Sequence, residues 1–146
     1  MKSVVQRVLR AEVQVGGRAV GWIGRGLLVY VGVAAGDSVV QAQKMAEKVA
    51  FLRIFADDAG KLNRSVQDVR GGILAIPNFT LLADASKGRR PAFSAAAGGT
   101  DAVKLFDAFV EALQSLNVTV TSGIFGADMA INSVADGPVN VLMDVT

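Results

Sequence analysis

Apolar residues recur along the chain in two rhythms, and the switches between them lay out the elements. Val4, Val8 and the stretch Val13-Gln14-Val15 form an extended, β-branched opening. Gly16-Gly17 then supplies a hairpin turn into an antiparallel strand from Ala19 to Ile23. Gly24-Arg25-Gly26 turns the chain into Leu27-Leu28-Val29-Tyr30-Val31-Gly32-Val33. That run is continuously apolar, which predicts a strand buried on both faces and central in its sheet.

From Ser38 to Leu52 the period lengthens to that of a helix. Val39, Ala42, Met45, Ala46, Val49 and Leu52 are expected inward, Gln41, Lys44 and Lys48 outward, and Asp37 is placed to cap. This stripe reads as core rather than as a cofactor site. Arg53-Ile54-Phe55-Ala56 predicts a short strand, stopped by Asp57-Asp58-Ala59-Gly60, whose paired acids fit a turn better than a metal site. Gly71-Gly72 leads into a buried strand, Ile73 to Ile76, which runs directly into Pro77-Asn78-Phe79-Thr80-Leu81-Leu82-Ala83-Asp84. A second helix is predicted from Thr100, as N-cap, to Leu116. Val103, Phe106, Val110 and Leu113 face in, and Lys104, Asp107, Glu111 and Gln114 face out. Strands Val118 to Thr121, Gly126 to Val134 and Val139 to Val145 complete the pattern.

Gly137-Pro138 interrupts the last two apolar runs. Proline cannot donate to a sheet ladder, and an X-Pro bond is the one peptide bond that takes the cis form at modest cost. Taken alone, the dipeptide reads as a tight turn between two strands. It equally marks an edge, a bulge or a shaped backbone able to act as a recognition surface.

At 146 residues, 51% hydrophobic and with mean hydropathy +0.42, the chain can bury a sizeable core. The expected fold is α/β: a single compact domain over residues 1–146, strand-rich, with two principal amphipathic helices. No apolar run approaches the roughly 18 uncharged residues of a membrane span, and the opening reads as a strand rather than a signal peptide, so a cytoplasmic address and no membrane partner are expected. With no His and no Cys, a Ser-His-Asp triad, a Cys-His pair and the usual zinc sites are excluded. Hydroxyls, carboxylates, Lys or Arg charges, backbone N–H donors or a group on the substrate remain. No metal and no cofactor is called for. The formal charge of +2 is too mild to decide a partner. Lys87, Arg89 and Arg90 nonetheless gather in one Gly- and Pro-bounded loop, which is either a phosphate contact or a solvated surface loop.

Four segments line up in type and order with one family: Val5-Gln6-Arg7-Val8, Asn78-Phe79-Thr80-Leu81, Gly88-Arg89-Arg90-Pro91-Ala92-Phe93-Ser94 and Asp136-Gly137-Pro138-Val139. With Arg53-Ile54-Phe55 and Phe125-Gly126-Ala127-Asp128-Met129, they make the chain resemble the D-aminoacyl-tRNA deacylases over essentially its whole length. The resemblance implies a homodimeric hydrolase, barrel-like in the dimer, that cleaves the ester between a D-amino acid and the 3′-terminal adenosine of tRNA, with glycyl-tRNA poorly rejected. In the family the Gly-Pro pair is cis and enters the other subunit's active site; carried over, these residues are Gly137 and Pro138, braced by Arg7. Thr80 and the main chain around Asn78 and Phe79 match the part that holds the ester and its oxyanion, and the Phe79 side chain is expected to pack in the core beside the pocket. Phe93 either stacks on the terminal adenine or is buried in the dimer interface. Met129 either lines the adenosine pocket or fills core, and Lys87, Arg89 and Arg90 meet tRNA phosphates.

The chain departs from the family pattern at Pro77 and Asn78, where Ser-Gln is usual, and at Ala135 and Asn140, where Asn and Thr are usual. Pro77 points toward a related subgroup of relaxed chirality that accepts certain L-aminoacyl-tRNAs. Arg7 points back to the D-selective group. A noncatalytic module that binds the tRNA 3′ end is the reading from a different class.

Overall fold

A computed structural model describes all residues, Met1 to Thr146. The elements run β1 (Lys2–Val15), β2 (Arg18–Ile23), β3 (Gly26–Gly32), α1 (Val39–Ala50), β4 (Phe55–Ala56), β5 (Leu62–Arg64), β6 (Gly72–Pro77), α2 (Gly99–Ser115), β7 (Thr119–Ser122) and β8 (Ala130–Asp144). A 3-10 turn, Phe79–Leu82, follows β6 directly.

One mixed sheet of six strands carries the fold. Strand β1 is its spine. One edge pairs antiparallel with β3 through Lys2 to Val8 and with β2 through Ala11 to Val15, while the other edge is lined by β8. Strands β3, β6 and β7 are parallel neighbours. The expected central strand is therefore β3, flanked on both sides, with every residue buried except the half-buried Tyr30.

Helices α1 and α2 pack side by side on one sheet face. There Ala42, Met45, Val49, Phe106, Phe109 and Leu113 close a core over Val5, Leu27, Val29, Val31, Ile73 and Ala75. On the opposite face β2 bends back so that Gly21 lies against Thr121, Ser122 and Leu74, and Val8, Ala11, Val13, Ile23, Leu28, Leu74 and Ile76 fill the enclosed space. The result is a nearly closed barrel with helices outside. No helix is long and apolar enough to cross a membrane.

Several local expectations shift. Ser38, not Asp37, caps α1, accepting from Val40 N–H, and its partner in the capping box is Gln41. Asp37 is drawn away because its carboxylate accepts from the Met1 amine at 2.8 Å and from Ala34 N–H at 2.7 Å. Val39, expected inward, is 49% exposed: it stands in the first turn of α1, at the open groove between α1 and α2. Gly98 rather than Thr100 caps α2, and it makes no side-chain cap bond. Leu105 and Phe109 take the central buried positions, with Val103 and Val110 at the stripe's margins. Helix α2 stops at Asn117, which adopts φ 59° while its N–H donates to Gln114 O. The acids at Asp57 and Asp58 do form a turn, joining β4 to β5.

The largest correction concerns the C-terminal part. The two expected runs are one strand, β8, with no turn at Gly137-Pro138. Gln6 pairs with Asn140 and Val8 with Ala135, so Asp136-Gly137-Pro138-Val139 bulges out opposite the single residue Arg7.

Candidate active site

Two places concentrate the residues singled out by sequence. The first is the carboxyl end of the parallel strands, where α/β sheets commonly bind ligands. Strand β6 ends at Pro77, Asn78 N–H donates to Val31 O at 2.8 Å, and the chain then coils into the Phe79–Leu82 turn over the end of β3. Gly32 permits that approach, since a Cβ there would lie 2.4 Å from Leu82 Cδ2 and 3.0 Å from Asn78 O.

Within the turn, Asn78 acts as an N-cap. Its Oδ1 accepts from Thr80 N–H at 3.2 Å and also from the Thr80 hydroxyl. Thr80 thus spends both polar hydrogens on Asn78, leaving its hydroxyl lone pairs outward. Phe79 N–H, the remaining amide at the start of the turn, has no acceptor within the chain. Phe79, expected to pack in the core, is instead 55% exposed. Its ring meets Phe93 edge-on at 5.0 Å, so Phe93 is half-buried beside the turn.

A cavity of about 250 Å³ opens beside this turn, walled by Val31, Val33, Pro77, Asn78, Phe79 and Phe125, with the start of α2 at its rim. Phe125, quoted for the resemblance but given no role, is the aromatic that sequence reasoning missed; its Phe-Gly context gave no periodic signal. Met129 does not line this cavity and packs against the barrel interior. Lys87, Arg89 and Arg90 are exposed in a loop closed by a two-way bridge between Asp84 and Ala92, one residue before Phe93.

The second place is the bulge of β8. The Gly137-Pro138 peptide is cis, and Gly137 has φ 130°. Arg7 faces it with only 13% of its side chain exposed. Its Nε lies 3.2 Å from both Asp136 O and Asp136 Oδ2, and Nη1 donates to Ile54 O at 2.7 Å. Within one chain the two places are apart. Arg7 pairs with Leu27, whereas Asn78 sits at Val31, and β8 and β6 are separated by β1 and β3. At standard strand spacings that is about 13 Å along the strands and about 14 Å across them.

Comparison with known proteins settles the family. A profile described as D-Tyr-tRNA(Tyr) deacylase matches residues 4–144. The chain belongs to this family. Among members of the D-Tyr-tRNA(Tyr) deacylase family, the D-aminoacyl-tRNA deacylase of Deinococcus radiodurans is 52% identical over 145 residues, covering 99% of this chain and 100% of that protein. The D-aminoacyl-tRNA deacylase of Geobacter sulfurreducens is 49% identical over 144 residues, covering 99% and 95%. Among solved structures, the c-Myc DNA Unwinding Element Binding Protein superposes with TM-score 0.94 at 36% identity, covering 100% of this chain and 99% of that one. A probable eukaryotic D-amino acid tRNA deacylase shares the deacylase fold at TM-score 0.83 and 17% identity.

Proposed function

We propose that this chain is a D-aminoacyl-tRNA deacylase, an ester hydrolase that releases a D-amino acid from the 3′ end of tRNA. The observation that carries the reading is full-length identity of about half with proteins of that name, joined to an unassigned backbone donor beside an aromatic-walled cavity. The cavity is of a size and polarity to take the terminal adenine, with Phe79 and Phe125 as stacking walls.

The ester then lies over the Asn78–Thr80 turn. Water adds to the ester carbonyl carbon, and the negative charge that develops on its oxygen is met by Phe79 N–H, not by Thr80 N–H, which Asn78 occupies. One well-aimed donor of this kind contributes about 3 kcal/mol to the transition state. The Thr80 hydroxyl, with its lone pairs free, accepts from the attacking water or from the ribose 2′-hydroxyl and so orients it. The bond to the ribose 3′ oxygen breaks, and the proton lost by water reaches that oxygen by way of the 2′-hydroxyl. No imidazole is required.

Chirality is checked by the Gly137-Pro138 segment of a second copy. Support comes from the separation of the two places within one chain and from an uncovered apolar row. Ile76, Tyr30, Val4 and Leu142 are register neighbours across β6, β3, β1 and β8 and share one face. Ile76 is 2% exposed and Leu142 is 80% exposed, so the barrel interior is left open at this end. A two-fold axis through this row covers it with its own copy and carries each bulge to the other copy's turn. The backbone wall then excludes the L enantiomer by clash and leaves glycine poorly rejected. A charged-tRNA substrate places the work in the cytosol, with Lys87, Arg89 and Arg90 against its phosphates.

Release of amino acid from D-aminoacyl, L-aminoacyl and glycyl-tRNA, measured side by side, tests the reading. The D ester is expected to be cleaved and the L ester spared. Preferential cleavage of L esters would favour the relaxed-chirality reading suggested by Pro77, and tight binding without turnover would favour a 3′-end-binding module.

A further inference from the structure

Arg7 is held at two points of different character. Ile54, whose carbonyl accepts from Nη1, is 6% exposed and belongs to the main core, where the neighbouring Phe55 ring carries the Arg25 guanidinium at 5.3 Å. That acceptor is fixed by packing. The other end of the guanidinium meets Asp136, on the protruding part of β8, where Nε is shared between the main-chain carbonyl and the carboxylate. The guanidinium also comes close to the next residue of the bulge: Nη2 is 3.3 Å from where a Cβ on Gly137 would be. Asp136 is thus the charged group on the bulge that pairs with the Arg7 guanidinium, and ion-paired hydrogen bonds are stronger than neutral ones.

We propose that Asp136 is a positioning residue for stereochemical discrimination: its carboxylate, through Arg7, fastens the Gly137-Pro138 bulge to the core carbonyl of Ile54. The inference rests on the reading above, in which that bulge rejects L-amino acids. A wall excludes by clash only if it holds still. Slack in the wall admits the wrong enantiomer while barely affecting the right one, so loss of the carboxylate acts on the ratio of rates more than on the rate with the D ester.

The experiment compares kcat/KM for D- and L-aminoacyl-tRNA in the wild type, Asp136→Asn, Arg7→Lys and the double variant, with melting temperatures alongside. Asp136→Asn keeps the shape and the main-chain acceptor but loses the charge. Arg7→Lys keeps a charge but cannot fork to both acceptors. Each single change is expected to lower the D-to-L ratio about tenfold, the magnitude of one charge-assisted hydrogen bond. The double change is expected to lower it no further, because the two act as one unit. A lowered melting temperature with an intact ratio, or ratio losses that multiply in the double variant, would overturn this inference alone. A wild type without preference for the D ester would overturn the underlying reading and this inference with it.

Discussion

Asn78 and Thr80 show how a single side chain redirects the chemistry of a turn. Because Asn78 Oδ1 takes both polar hydrogens of Thr80, the unassigned donor moves to Phe79 N–H, a distinction invisible in a string of residue types. Thr80→Val removes the hydroxyl while keeping the shape; kcat is expected to fall about tenfold or more with KM little changed, as for a lost orienting group. An unchanged kcat would reduce the hydroxyl to a support for Asn78. Arg89→Ala and Arg90→Ala should instead raise KM for tRNA, with a shallower salt dependence and little effect on kcat. At this scale the sequence singled out Asn78, Phe79, Thr80, Arg7, Gly137 and Pro138 because they stand in recognisable strings. It missed Phe125, and it put Phe79 in the core, because exposure depends on where the turn lands over β3.

Elements were legible wherever periodicity was long and clean. Strands β1, β2, β3, β6 and β7 and helices α1 and α2 fall where the apolar spacing put them. Their ends were less legible, since capping is a contest between neighbours: Ser38 wins α1 because Asp37 is engaged elsewhere. Ser38→Ala should therefore cost about 1 kcal/mol, read as a lower urea midpoint at unchanged slope, as for other N-caps. Phe109→Ala, at the fully buried centre of α2, should cost about 3–5 kcal/mol by leaving a cavity. Strand β8 was cut in two because a proline inside a strand is normally an interruption. Here the bulge opposite Arg7 takes the residues that cannot pair, and β8 lies at the sheet edge, where the missing donor is tolerated.

For the whole molecule, pH acts through carboxylates. Asp57, Asp68 and Asp84 are held below the usual carboxylate range, mainly by Lys61 N–H, by Ser65 N–H and by the Ser86 side chain, respectively. Groups depressed in the folded state contribute stability above their unfolded value of about 3.9, and lose it as pH falls through the folded value. With no His, denaturant midpoints should stay flat between about pH 5 and 8 and drop below about pH 4; a marked slope near neutrality would contradict this. The proposed assembly is what sequence periodicity could not supply, because an open barrel end is recognised only when Leu142, Val4 and Tyr30 are seen side by side. Leu142→Asp should yield monomers by sedimentation and abolish turnover, whereas an active monomer would place the whole site within one chain. The most direct test mixes two impaired homodimers, Thr80→Val and Gly137→Val, under conditions of subunit exchange, and follows release of D-amino acid from tRNA. If each site joins the turn of one subunit to the bulge of the other, every mixed dimer regains one intact site, and activity should rise to about a quarter of wild type at full exchange. If mixing restores nothing although mixed dimers form, the turn and the bulge serve the same subunit, and the shared site proposed here is wrong.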